Sequence, residues 1–518
     1  MKRLYYIFII LSLFGFCGCV VTPSPAPNGT LKVEDNASVA RLDSGLGSFE
    51  ITFTSTCDWS IAIHGQGFEL SPMRGKGSTE PQTVTVRALR ENLGNAIVKR
   101  GSFDICLKGY STKYNIKVEQ CAKSDRTILA WLFGTSLSYY FDINIECMQK
   151  AIAGDILGND RFVVLSQSSR NKAVIKELYY DAEQRCCKEC VITTINLPET
   201  LTGEQFGRYL AKMMSLAPAE RYAMIVGGHS TAWLPTMPSS GGVPLSVGEY
   251  MPDWTPMPGA EITRNIGEYN VKLDIDEFAE GLSYTGKKLD WIYFDVCFMS
   301  SLEASFELRN NTDYVIGSPC EIMGYGSPFD QLLDDLVADD LDGACRTYYN
   351  YYENEYSGSK SGCMATIVCA ELDELAAKVK ALNETSVVAD LDVLSLQPYE
   401  GRTTHAFFDV EDYVIKAYDN EALVDAFCKQ LDKAVINRYH TEKFYSVYNG
   451  KLNAINHFSG MNFTPNDGCI ALLDSQIAAM KSDANAYLSV LDMLEDQRDE
   501  LNRYLPYLKE TAWYKATH

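Results

Sequence analysis

Five short stretches alternate apolar with polar residues: Glu50–Thr54, Trp59–Ile63, Gln82–Val86, Ser102–Cys106 and Tyr114–Val118. That period-two pattern, punctuated by Gly, Ser and Asn, predicts half-buried strands, and five at close spacing predict a small β-sandwich. From Thr127 the pattern changes. Thr127–Phe133, Arg161–Leu165, Tyr222–Val226, Leu289–Phe294 and Tyr314–Ile316 are largely apolar runs, as expected of strands buried on both faces of a parallel sheet. Helices lie between them. Thr202 and Gln205 suit a capping box ahead of an apolar stripe at Phe206, Leu210 and Met213. Ile275, Phe278, Ala279 and Leu282 form a second stripe that stops near Gly286. This alternation predicts an α/β fold with a doubly wound, mainly parallel sheet, whose active groups sit beyond the carboxyl ends of the strands. Further on, Ala365–Cys369 reads as a strand, Glu371–Leu382 as a helix, and Leu423–Ile436 and Gln476–Leu494 as helical segments.

The N-terminus follows a different logic. Met1-Lys2-Arg3 is a positive start, and Tyr5–Phe16 is an apolar run interrupted only by Ser12 and Gly15. About 12 such residues suit a signal peptide rather than a membrane span, which needs about 20. The run ends at Phe16-Cys17-Gly18-Cys19, which resembles a bacterial lipoprotein box with Cys19 as the lipidated residue and Phe16 where Leu is usual. An ordinary signal peptide cut near Gly18 is the alternative. Pro23, Pro25, Pro27 and Gly29 make the stretch that follows a tether. The expected organisation is a signal peptide at 1–18, a tether at 19–30, a β-sandwich at 31–122, an α/β core at 124–345, and a C-terminal part at 346–518 that completes the fold of that core, α/β and then mostly helical. The expected location is the cell envelope, on the periplasmic or outer face, with the membrane as a partner through the lipid.

Composition narrows the function classes. Of 518 residues, 46% are hydrophobic and 22% charged, which excludes wholesale disorder. The 68 acidic against 46 basic residues give a net charge of −22, which argues against a nucleic-acid partner and is compatible with cationic ligands. Sixteen cysteines are too sparse for a disulfide scaffold. Cys186-Cys187-Lys188-Glu189-Cys190 offers one Cys-x-x-Cys without a second pair at zinc-finger spacing, and reads as a surface turn with reactive or paired thiols. Asp334, Asp335, Asp339, Asp340 and Asp342 fit no EF-hand loop and read as a solvated helix face. The tyrosines from Tyr348 to Tyr356 read as helix packing. No metal site is assigned, and no cofactor is required.

Two strand ends carry chemistry. One runs Val226-Gly227-Gly228-His229-Ser230, the other Phe294-Asp295-Val296-Cys297-Phe298-Met299-Ser300. Ser300 and Glu303 suit a capping box, which places Cys297 just before a helix N-terminus, where the dipole favours a thiolate. A thiolate is a competent acyl-transfer nucleophile, and a His at an adjacent strand end can protonate the leaving amine. The backbone amides of Ser230 and Cys297 are natural oxyanion donors. A turn histidine and a core cysteine are the structural alternatives.

Two resemblances extend this reading. Cys57-Asp58-Trp59-Ser60, Leu70-Ser71-Pro72, Gly75-Lys76-Gly77, Asn95 before Arg100-Gly101, and Ile116–Gln120 resemble the BACON module. That implies a spacer, or a glycan contact for which Trp59 is the candidate. Ile225–Trp233, Thr263-Arg264-Asn265-Ile266-Gly267, Leu273–Ala279, Phe294–Glu303 and Tyr314–Gly326 resemble the clostripain family of cysteine peptidases, related in fold to caspases and gingipains. The resemblance implies an endopeptidase with Cys297 as nucleophile, His229 as its partner, and Asp295 lining a pocket for Arg or Lys at P1. It implies a peptide or protein substrate and is compatible with calcium. Ser230 stands where the family usually has Gly, and Gly134-Thr135-Ser136-Leu137 stands where Asp-Asn-x-Leu is common. A surface lipoprotein that binds glycan or protein without turnover is the alternative.

Overall fold

The computed structural model describes residues 29–94, 97–234, 266–267, 271–482 and 487–518. The expected signal peptide, Cys19, most of the tether, Asn95, and Thr263-Arg264-Asn265 lie outside the described residues.

The alternating stretches form two sheets packed face to face. Leu31–Val33, Ser48–Ser55, Ser78–Ala88 and Phe68–Ser71 make one. Val39–Leu42, Lys113–Gln120, Val98–Leu107, Trp59–Gly65 and Arg74–Gly75 make the other. Every second residue points inward, so Ile51, Phe53, Val84, Val86, Phe103 and Ile105 share one core. Trp59 belongs to that core. Its ring meets Phe53 edge-on at 4.9 Å, and its Nε1 donates to Gln82 Oε1 at 3.0 Å, which satisfies the one polar atom that burial would strand.

The apolar runs form a nine-stranded sheet in the spatial order Cys186–Asn196, Lys172–Asp181, Arg161–Ser169, Arg126–Leu132, Arg221–Gly227, Leu289–Asp295, Thr312–Gly317, Cys363–Val368 and Val435–His440. The five strands from Arg161–Ser169 to Thr312–Gly317 are mutually parallel. Only Lys172–Asp181 and Cys363–Val368 run the other way. Lys172–Asp181 is joined to both neighbours by tight turns that parallel neighbours could not use, whereas helices intervene on both sides of Cys363–Val368. Both faces are covered. Ile128, Ala130 and Leu132 pack with the helices Ser138–Ile152, Phe329–Val337 and Leu341–Asn350. Leu129 and Trp131 pack on the opposite face with Gly203–Leu216, Ile275–Tyr284 and Leu302–Leu308. Each fully buried Leu or Phe on these faces contributes about 1.5–3 kcal/mol.

Several expectations are corrected by tertiary partners. The helix read as ending at Ile436 ends at Ala434, and Val435–His440 becomes the ninth strand. Gln476–Leu494 spans parts of two helices, Asp467–Ser482 and Leu488–Leu508. The boundary at residue 345 falls inside the helix Leu341–Asn350, and Cys363–Val368 and Val435–His440 beyond it complete the same sheet. Cys186, Cys187 and Cys190 lie in a strand rather than a turn, as free, half-buried thiols, because pairing with Lys172–Asp181 extends this segment. The acidic run is not simply solvated: Asp339 binds Arg126 and accepts from Trp291 Nε1 at 3.0 Å, and Asp335 accepts from Thr347 at 2.9 Å.

The β-sandwich is fixed to one edge of the large sheet. Arg41, 3% exposed, pairs with Glu119 of its own module and with Glu177 of the strand Lys172–Asp181, and Arg161 donates to Glu177 at 2.9 Å. Thr193 donates to the Asp35 carbonyl at 3.2 Å, and Lys212 pairs with the Asp35 carboxylate at 2.7 Å. Burial alone would raise the Glu177 carboxyl, but Arg161 and Arg41 outweigh it and hold it below the usual carboxylate range. Its contribution to stability is therefore present at neutral pH and is lost as pH falls through the folded-state value. Glu177→Ala leaves the buried Arg161 guanidinium without its partner and Arg41 with Glu119 alone, and is expected to cost about 3–5 kcal/mol. A denaturation midpoint unchanged from wild type would contradict this account of the docking.

Candidate active site

The strands Arg221–Gly227 and Leu289–Asp295 are parallel neighbours in which Gly227 pairs with Asp295. His229 and Cys297 therefore each stand two residues beyond one register line. Parallel pairing brings both side chains to the carboxyl edge of the sheet although 68 positions separate them in sequence. They line one cleft, together with Ser230, Asp295, Phe298, Glu321 and Tyr140. Sequence reasoning named Cys297, His229, Asp295 and Ser230, and the fold gathers all four.

His229 is oriented by a residue that the sequence alone did not single out. Ser136 Oγ lies 3.1 Å from His229 Nε2, and Ser136 belongs to Gly134–Leu137, the segment that departs from the family pattern. The His229 carbonyl accepts from the Gly267 amide at 2.9 Å. Ser230, in place of the usual Gly, is buried, and its hydroxyl turns along the loop to accept from the Ala232 amide at 2.9 Å.

The expected capping box does not form. The helix after Cys297 starts at Leu302 with Ser301 as its N-cap. Ser300 instead donates to the Gly460 carbonyl, and Glu303 accepts from Ser301 Oγ at 3.0 Å and from the Thr464 amide at 2.7 Å. Cys297 thus sits in a turn several residues ahead of the helix, beyond the first-turn reach of its dipole. The expected thiolate is corrected accordingly. Burial, then the charges of Glu321 and Asp295, push the Cys297 thiol up to about 12, although the Ile322 amide facing the sulfur works the other way. At rest the group is a thiol.

That turn is held from the C-terminal part. Phe298 has φ of +64°, a left-handed conformation that costs a side-chain-bearing residue about 1–2 kcal/mol. Asn462 donates to the Phe298 carbonyl at 3.0 Å and to the Pro319 carbonyl at 2.7 Å. The Phe298 ring stacks on Phe407 at 5.0 Å, and the Phe298 amide donates to the Cys320 carbonyl at 3.0 Å. Tyr445, Val447 and Tyr448 form the opposite wall of the cleft. The C-terminal part therefore shapes the cleft.

Asp295 lies in the cleft beside Tyr140, Phe141, Asn144 and Gly326. It is 6% exposed and accepts from Ser327 Oγ at 2.7 Å, and Ser327 is in turn 2.7 Å from the Tyr293 hydroxyl. Burial pushes its carboxyl up to about 6, against the hydrogen bonds from Ser327. A Cβ at Gly326, where φ is +68°, would come within 2.4 Å of Asp295 Oδ2, so glycine there keeps the carboxylate accessible. Among the described residues, no group of three or more His, Cys, Asp or Glu side chains is placed to hold a metal ion.

The Clostripain family model matches residues 262–512, a span that contains Asp295 and Cys297 and begins after His229. Among solved structures, the secreted C11 cysteine protease "iotapain" of Bacteroides thetaiotaomicron is 29% identical. The match covers 77% of this chain and 100% of that one, with a TM-score of 0.61. An inactive zymogen C11 protease from Parabacteroides distasonis is 24% identical over 77% of this chain and 99% of that one, with a TM-score of 0.57. A secreted C11 cysteine protease of Bacteroides thetaiotaomicron, in complex with an irreversible peptide inhibitor, is 20% identical over 76% and 99%, also with a TM-score of 0.57. A search of curated proteins finds no match. The family match, the mostly parallel sheet covered on both faces, and the cysteine at its carboxyl edge agree: the chain belongs to the clostripain family of cysteine peptidases.

Proposed function

We propose that this cysteine peptidase is an exported, lipid-anchored endopeptidase that cleaves after Arg or Lys with Cys297 as nucleophile and His229 as acid and base. The observation that carries the proposal is the register of two strands, which sets His229, Cys297 and a buried Asp295 around one cleft. Export is supported by the N-terminal pattern and by the secreted relatives of Bacteroides thetaiotaomicron. Anchoring rests on Cys19 alone. The β-module contributes position at the edge of the sheet, and a glycan contact would have to use a surface other than Trp59.

In this mechanism the resting thiol gives its proton to His229 as sulfur attacks the scissile carbonyl, so nucleophile formation and attack are coupled. Ser136 at Nε2 orients the ring for that transfer. The amides of Ser230 and Cys297 receive the developing oxyanion. The imidazolium then protonates the departing amine as the C–N bond breaks, and water hydrolyses the Cys297 thioester with His229 as base.

Fluorogenic peptides ending in Arg or Lys should be turned over by the full chain, and Cys297→Ala should abolish both turnover and active-site thiol labelling. Turnover retained in Cys297→Ala would refute the nucleophile. Asp295→Asn should remove about 2–5 kcal/mol of transition-state binding for basic P1 substrates and spare others; equal losses on neutral substrates would refute the pocket. Because the Asp295 carboxyl sits near pH 6, cation recognition is present above that value. Wild-type kcat/KM for Arg substrates should therefore fall as pH drops through it, while Asp295→Asn lacks that limb. Ser136→Ala should lower kcat by about tenfold with KM little changed, through loss of ring orientation. A change confined to KM would contradict that role.

A further inference from the structure

We propose that Glu321 is a positioning residue of the cleft, whose carboxyl braces the wall formed by Tyr445–Tyr448 against the loop that contacts Cys297. The inference deepens the reading of Cys297 as nucleophile and rests on it. Glu321 Oε1 accepts from the Val447 amide at 3.0 Å, and the nearby Ser446 hydroxyl favours the charged form of this carboxyl against burial. On the other side, the neighbouring residues clasp the nucleophile turn: the Cys320 carbonyl accepts from the Phe298 amide at 3.0 Å, and the Ile322 amide faces the Cys297 sulfur. One carboxyl thus joins two walls that come from distant parts of the chain.

The brace is a neutral acid at neutral pH. Glu321 is 6% exposed, and its Oε2 is buried with no hydrogen-bond partner. Among the described residues, the titratable groups around it are Cys297, Cys320, Glu400 and Tyr448, and His229 lines the same cleft. A charged oxygen left in that setting would be costly, and burial pushes the carboxyl up to about 8. As pH rises through that value, Glu321 ionises beside Cys297 and opposes formation of the thiolate. The residue therefore sets an alkaline limit on the nucleophile as well as the width of the cleft.

The test uses the full chain and two readouts across mildly acidic to alkaline pH. The first is kcat/KM on an Arg-ended peptide. The second is the rate of Cys297 alkylation by iodoacetamide, followed by peptide mass because other cysteines are present. Glu321→Ala should lower kcat/KM by about tenfold or more, chiefly through KM, as the wall loses its brace. Glu321→Gln keeps the acceptor for Val447 and should restore most of that loss. Its Cys297 alkylation should also rise more steeply with pH than that of the wild type above about pH 8. Superimposable alkylation profiles for wild type and Glu321→Gln, or unchanged kcat/KM in a folded Glu321→Ala, would overturn the proposal. Divergent profiles without turnover in any form would support the Glu321 assignment and count only against Cys297 as a peptidase nucleophile.

Discussion

The cleft depends on one strained turn. The strand Leu289–Asp295 must leave the sheet and present Cys297 sideways, which puts Phe298 in a left-handed conformation that its side chain resists. The cost is offset from outside the turn. Asn462 spans two carbonyls, Phe407 stacks on the displaced ring, and Cys320 takes the freed amide. Strain of this kind persists only where the surroundings over-determine it. Here those surroundings come largely from residues beyond 400, so the C-terminal part is a structural condition for the Cys297 turn.

The same burial that fixes the turn sets the electrostatics. Cys297, Asp295, Glu321 and Glu303 all sit where water is largely excluded, and each is pushed toward its neutral form. A site of this type does not store a thiolate. The chain's net charge of −22 has little part in this; the specific argument for basic substrates rests on one buried carboxylate. At the far edge of the sheet the balance is the reverse. Arg41 and Arg161 keep Glu177 ionised, and the β-sandwich is joined to the peptidase through that charge cluster rather than through a loose connection.

Periodicity alone carried the sheet and the sandwich, because burial on one face or two imposes patterns of alternation or continuity that no other arrangement satisfies. The Thr202–Gln205 cap was equally legible, since it is complete within four residues, and it forms as expected. Cys297, His229 and Asp295 stood out because strand ends followed by Gly, His or Cys are chemically unusual. What the sequence could not decide were the competitions between local and distant partners. Ser300-x-x-Glu303 fits a capping box, yet Gly460 and Thr464 take its polar groups. Val435 and Ile436 fit the end of a helix, yet a free sheet edge claims them. Ser136, Glu321 and Asn462 carry no local signal at all; their roles exist only because tertiary folding sets them beside His229, Val447 and the Cys297 turn. The sequence by itself determined the buried central strands of the sheet and which side chains carry chemistry. Only the tertiary structure decided whether the thiol is charged, which residue orients the imidazole, and what holds the cleft open, because each depends on burial and on groups brought from remote parts of the chain.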